Sequence, residues 1–143
     1  MAIVRCEVAP KDASYAFILE FTPVHRGVRG STRKFPMVGD QWTIEGNILK
    51  WHPGFNLLGF KTCYKLTRLS SRYLKIEDEI HRPKLAHELN GSTDFFWLLL
   101  YRYGRWFPFV EAVYGNATYV IAQPVSRWGV YVTLSGYLVK PLQ

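Results

Sequence analysis

From Gly39 to Ile76 apolar residues recur at every second position, the period of a strand with one face buried. Three strand-like runs are separated there by turn residues. Trp42 and Ile44 share a face, as do Leu49 and Trp51, and as do Phe60, Tyr64 and Leu66. The parity changes around Gly46. One extra residue near that glycine would restore a single buried face, so a β-bulge is expected there.

The pattern extends in both directions. Ile3–Val8 and Tyr15–Phe21 read as strands about the turn Ala9-Pro10-Lys11-Asp12, with Tyr15, Phe17, Leu19 and Phe21 on one side. His25–Pro36 reads as a loop, because two glycines, a serine and a closing proline interrupt any period. Strands follow at about 40–51, 57–69 and 72–77, with His52-Pro53-Gly54 and Ser70-Ser71 as turns. Glu77–Ser92 is polar and reads as a connection with at most a short helical turn. A helix is expected over 93–103, N-capped by Ser92 or Thr93, with Asp94 in its first turn and Gly104 beyond its end. It has almost no polar face until Arg102 and Arg105, so core, membrane or partner must cover it on most sides. Pro108 reads as opening a short helical turn through Tyr114. Ala117–Ala122 and Arg127–Val139 are the last strands, with Trp128, Val130, Val132 and Leu134 on one face and a bend at Gly136.

These elements predict one mainly β domain over 1–143: an antiparallel meander of about seven strands, closed as a barrel or folded as a two-layer sandwich, with one buried helix near 93–103. The expected core is Phe17, Leu19, Trp42, Trp51, Phe60, Tyr64, Leu66, Trp97, Leu100, Val130 and Val132.

Composition narrows the function classes. With 48% hydrophobic and 16% aromatic residues the chain is not disordered. At 143 residues it needs neither metal nor disulfide to hold a core. Its net charge of +7 favours an anionic partner: nucleic acid, acidic lipid headgroups or a phosphorylated ligand. Two segments could supply the contacts. Arg26, Arg29, Arg33 and Lys34 make the 25–36 loop strongly basic and are candidate anion ligands, since guanidinium suits phosphate geometry. Tyr101, Arg102, Tyr103, Arg105 and Trp106 interleave aromatic and basic residues. That pattern serves base stacking, membrane interfaces, or the end of a core helix breaking the surface. Cys6 and Cys63 read as two buried free thiols, or as one disulfide in an oxidising compartment. The longest apolar run, Phe95–Tyr101, is seven residues, against about 20 for a spanning helix. The chain therefore reads as a soluble domain, or as the trimmed soluble part of an anchored protein.

Catalytic signatures are not legible. His81 and His87 lie near Glu77, Asp78, Glu79 and Glu88, but their spacing fits no metal template, and no metal or cofactor is expected. Ser135 and Ser70-Ser71 sit in no nucleophile elbow. Cys63 reads as a strand residue, and Glu20 and Glu45 as outward-facing carboxylates. The expectation is a protein that binds and does not catalyse.

Several segments carry a family resemblance: Gly39-Asp40-Gln41-Trp42, Leu49-Lys50-Trp51, Asn56-Leu57-Leu58-Gly59, Tyr64 through Tyr73, Ile76-Glu77, and Val113 through Tyr119. Over roughly 39–121 the chain resembles a group of small proteobacterial membrane-anchored proteins loosely labelled multidrug transporter or cation/multidrug efflux-related. The resemblance implies an N-terminal anchor followed by a globular domain outside the cytoplasm. The expected function is then a non-enzymatic binding or accessory domain at the periplasmic face of the inner membrane, with lipid headgroups or a membrane protein as partner. This sequence contains no anchor, and a natural start at Met1 would imply a cytoplasmic protein instead. The alternative is a basic β-barrel that binds single-stranded nucleic acid.

Overall fold

The longest buried run belongs to β5 (Gln41–Trp51), in which Trp42, Thr43, Ile44, Ile48 and Leu49 are all inaccessible to solvent or nearly so. A strand buried on both faces needs a layer on each side of its sheet, and the rest of the chain supplies them. The computed structural model describes residues 1–90, 95–133 and 135–143. In it β5 pairs with β6 (Cys63–Arg72) and β8 (Val110–Ile121), and β7 (Ala86–Glu88) lies beyond β6. The second sheet runs β10 (Gly136–Pro141), β9 (Arg127–Thr133), β1 (Ala2–Val8) and β2 (Phe17–His25). The far edge of β2 is shared by β3 (Val28–Arg29) and β4 (Arg33–Met37). Every pairing is antiparallel.

The two sheets face each other across one core. Val4 and Cys6, then Phe17, Leu19 and Phe21, meet Trp42, Ile44, Ile48, Leu66 and Leu69. Among the described residues no backbone ladder joins the sheets, so the architecture is a sandwich and not a closed barrel. Side chains stitch its two open seams. At one, the Thr118 hydroxyl donates to the Tyr137 carbonyl at 3.0 Å, and the Tyr137 N–H donates to Asn116 Oδ1 at 2.9 Å. At the other, Arg33 donates to the Leu89 carbonyl at 2.6 Å, and the His87 ring bonds the Pro36 carbonyl at 2.8 Å. These bonds occupy edge groups that would otherwise recruit another chain.

A bulge does occur opposite Gly46, but the extra residue is Thr67 on β6. Glu45 pairs with Arg68 and Gly46 with Leu66, leaving Thr67 unopposed. Both Leu66 and Leu69 therefore point inward. The expected single buried face along β5 is thus corrected. Trp42, Ile44 and Ile48 stay on the inner side, while Leu49 and Trp51 face outward into a second cluster with Trp97, Leu100, Val110 and Val113. A second irregularity, on β8 opposite Lys50 and Trp51, lets Val110 and Val113 both join that cluster.

The count of about seven strands is too low, since ten form among the described residues. The 25–36 segment is no loop. Arg26 and Gly27 both take positive φ (50° and 83°), a two-residue turn matched to strand twist, and β3 and β4 follow it. Pro36 is tolerated because β4 is an edge strand. Ser70-Ser71 is not a turn either. β6 continues to Arg72, and buried Ser71 is held there because its hydroxyl accepts from the Leu85 N–H at 2.8 Å. The expected strands at 57–69 and 72–77 become β6 alone, flanked by α1 (Pro53–Leu57) and α2 (Ile76–His81). Pro108–Tyr114 is mostly strand, because ladder bonds to β5 override the local turn signals. The long strand at 127–139 is a hairpin, β9 and β10. The long helix is α3 (Phe95–Tyr103); Gly104 opens a short 3-10 turn, Gly104–Trp106. The expected caps at Ser92 or Thr93, Asp94, and the face of Leu134 lie outside the described residues.

Phe60 and Tyr64, expected in the core, are 49% and 37% exposed, while Trp42 is wholly buried. Trp42→Ala should therefore destabilise by about 3–5 kcal/mol, as cavities left by large aromatics do, and Phe60→Ala by less than about 1 kcal/mol. Urea unfolding of the two variants checks this ordering, and equal costs would contradict it.

Candidate functional site

Strand register places one set of termini together. Val24, at the end of β2, donates its N–H to the Met1 carbonyl at 2.8 Å, and the Met1 amine donates to the Tyr64 hydroxyl. Tyr64 pairs with Ile48 near the end of β5, and Trp51 pairs with Val110 at the start of β8. The Arg26-Gly27 turn, the Trp51–Cys63 connection, α1 and the start of β8 thus lie at one end of the sandwich. α3 belongs to this end too, because Trp97 and Leu100 pack on Leu49, Trp51, Val110 and Val113.

This end is unusually apolar. Trp51, Phe60, Phe55 and Phe109 form a closed ring of contacts, with centroids 5.6 Å (Trp51–Phe60), 5.9 Å (Phe60–Phe55), 6.1 Å (Phe55–Phe109) and 6.0 Å (Phe109–Trp51) apart. They line a cleft of about 270 Å³. The Trp51 indole N–H donates to the Lys61 carbonyl at 2.9 Å, which fixes the ring plane. Beside the ring, Leu57 and Leu58 are 91% and 73% exposed. On α3 only Trp97 and Leu100 are buried. Phe95, Leu98 and Arg102, at i, i+3 and i+7, form an outward stripe, and Trp106 beyond it is 83% exposed. Water-facing helices place polar residues on that stripe. Single exposed apolar residues need no explanation, but a cluster of this kind marks a contact surface. The expectation of a helix buried on most sides is thus corrected: one stripe is buried, and the opposite face is open.

The structure divides the basic residues expected to bind anions. Lys34 lies on the outer face of the second sheet, 2.7 Å from Glu20 and 3.6 Å from Glu7, and Arg5 reaches the same two carboxylates. The bond to Glu20 raises the Lys34 pKa first, reinforced by the charge of Glu20. Arg33 is engaged by the Leu89 carbonyl and sits 5.3 Å over the Phe35 ring. Arg26 and Arg29 are exposed at the hairpin tip and, among the described residues, have no ion-pair partner. Lys61 and Arg105 are likewise exposed and unpaired at the same end. The 101–106 cluster also splits. The Tyr101 hydroxyl turns in to Asn47 Oδ1 at 2.9 Å, and burial raises its pKa. Arg102 lies 5.7 Å over the Tyr103 ring, while Arg105 and Trp106 stay open.

The remaining candidates have structural partners. His81 bonds the Glu77 carbonyl at 2.8 Å, and His87 stacks at 5.1 Å on Phe35. Glu45 accepts from Arg68 and from the Ser70 hydroxyl. No group of three or more metal-type ligands occurs among the described residues. No described helix is long and apolar enough to cross a membrane. No family model matches the chain, and comparison with curated proteins and with solved structures likewise gives no match.

The two cysteines differ, which corrects the picture of two buried thiols. Cys6 is buried and Cys63 exposed, and both are free. Burial pushes the Cys6 thiol up to about 11, helped by the neighbouring Glu7 charge. Near pH 8 Cys6 therefore stays protonated and unreactive. An aromatic disulfide reagent should modify only Cys63 in the native protein and both thiols after unfolding. Rapid native modification of Cys6, mapped by mass spectrometry, would contradict the packing of β1.

Proposed function

We propose that this protein is a non-enzymatic binding or accessory domain that works against a membrane surface, docking through the aromatic and basic end of its sandwich. The observation that carries the reading is the coincidence of exposed Leu57, Leu58, Phe95, Leu98 and Trp106 with the unpaired cations Arg26, Arg29, Lys61 and Arg105 at one end. Aromatic and aliphatic groups enter the headgroup–acyl boundary, while arginine and lysine reach anionic headgroups from its edge. Each such cation near an anionic surface contributes about 1 kcal/mol. The outer face of the second sheet offers no rival surface, because Arg5, Glu7, Glu20 and Lys34 neutralise one another there.

The resemblance across 39–121 supports a periplasmic location at an inner membrane. Single-stranded nucleic acid is the competing partner, because exposed Trp106 beside Arg105 also suits base stacking.

The wild-type protein should co-sediment with vesicles containing phosphatidylglycerol and not with purely zwitterionic vesicles. Arg26→Ser with Arg29→Ser should weaken the binding roughly thirtyfold, from about 1 kcal/mol per charge. Equal binding to both vesicle types, or none, would overturn the reading. Tight oligonucleotide binding with a log–log salt slope of roughly −0.7 per phosphate contact would favour the nucleic-acid partner.

A further inference from the structure

The cleft between Trp51, Phe55, Phe60 and Phe109 has a chemistry of its own. Three of its walls are phenyl rings with no polar atom. The fourth carries one donor, the Trp51 indole N–H, and that donor is already engaged by the Lys61 carbonyl at 2.9 Å. The lining therefore offers an occupant no hydrogen bond. A polar ligand would lose its bonds to water and regain none. An apolar cleft of this kind favours hydrocarbon over polar groups.

Size narrows the class further. At about 270 Å³ the cleft falls below the usual range of roughly 300–1,000 Å³ for compact drug-sized ligands. A single unbranched chain suits it better than a polycyclic ligand. Two backbone bonds brace its walls. The Phe60 N–H donates to the Phe55 carbonyl at 3.2 Å, and the His52 N–H to the Phe109 carbonyl at 2.9 Å, so both arms of the connection are tied across it. Charge selects the rest of the molecule. Lys61 directly follows the Phe60 wall, is exposed and lacks an ion-pair partner among the described residues, and Arg26, Arg29 and Arg105 lie at the same end. An anionic headgroup complements these cations.

We propose that this cleft takes one acyl chain of an anionic phospholipid drawn from the bilayer. The proposal rests on the membrane-docking reading and adds a ligand to it. The domain would then hold an individual lipid as well as adhere to a surface, with Phe60 and Phe55 as the walls that grip the chain.

The test uses bromine quenching of Trp51, read as the difference between Trp106→Phe and the double variant Trp106→Phe, Trp51→Phe. Vesicles of phosphatidylglycerol with brominated chains, and soluble 12-bromododecanoate, are the two probes. Saturable quenching of Trp51 by both, at one acid per protein, is the expected result. Phe60→Ser, at a half-exposed position that folding tolerates, should weaken the bromododecanoate titration about tenfold. The same variant should still co-sediment with vesicles through α3 and the cations. Co-sedimentation without quenching of Trp51, or a titration unchanged by Phe60→Ser, would overturn the cleft proposal and leave docking intact. Failure of the wild type to co-sediment would overturn docking and, with it, the bilayer as the source of the chain.

Discussion

Everything in this structure is arranged around a strand that cannot tolerate water on either side. β5 puts Trp42, Ile44 and Ile48 on one face and Thr43 and Leu49 on the other, all buried. The inner residues bind the two sheets together. Leu49 on the outer face is covered by a further layer, α3 with its Trp97 and Leu100. Both neighbours of β5 bend to serve it. β6 carries the extra Thr67 and β8 an irregularity beside Trp51, so apolar residues of opposite parity reach the same core. Gly46 sits where the Tyr137 hydroxyl and the Lys65 carbonyl crowd the backbone, and only a residue without Cβ fits there. The Tyr137 hydroxyl donates to the Asn47 carbonyl at 3.0 Å, and burial raises its pKa well above the phenol range. The hydroxyl therefore remains a donor at any physiological pH.

Covering the outer end of β5 also creates the apolar end of the molecule. A nine-residue helix has two faces, and α3 needs only one of them for Leu49 and Trp51. Its composition nevertheless keeps Phe95 and Leu98 on the other. The Trp51 ring likewise draws in Phe55, Phe60 and Phe109 and leaves Leu57 and Leu58 outside. Part of the net charge of +7 lies at this same end. On the second sheet Lys34 and Arg5 are held in a lattice with Glu7 and Glu20, on the first Arg68 is held by Glu45, and Arg26, Arg29, Lys61 and Arg105 stand beside the exposed apolar side chains with no ion-pair partner among the described residues.

The amphipathic strands were legible from residue order alone. The alternations Val4/Cys6, Phe17/Leu19/Phe21 and Trp42/Ile44 each correspond to a core face. Elements with weak patterns were not legible. β3 is two residues long and fully exposed, and β4 reads Arg-Lys-Phe-Pro-Met, so neither carries a period to detect. The parity change around Gly46 signalled a real bulge, but periodicity within one strand cannot say which partner holds the extra residue. The same limit applies to the site. Arg26 and Lys34 look equivalent in a basic run, yet one sits at a hairpin tip and the other on Glu20, a distinction made by pairing across β2. The aromatic ring was hidden because Trp51, Phe55, Phe60 and Phe109 come from three segments. The signal available was the run of apolar residues beyond the His52-Pro53-Gly54 turn, where Leu57 and Leu58 have no alternating partner.

The central claim is that one end of the sandwich enters a lipid interface while the opposite end stays in water. Spin labels placed singly at Leu57, at Trp106 and at Lys11 on the far β1–β2 turn, with Cys63→Ser to remove the exposed thiol, test it directly by collision with oxygen and with a water-soluble nickel complex. On adding phosphatidylglycerol vesicles, the labels at 57 and 106 should gain oxygen accessibility and lose nickel accessibility, with the label at 11 unchanged. Identical changes at all three sites, or none at 57 and 106 under conditions where the protein is bound, would contradict the account.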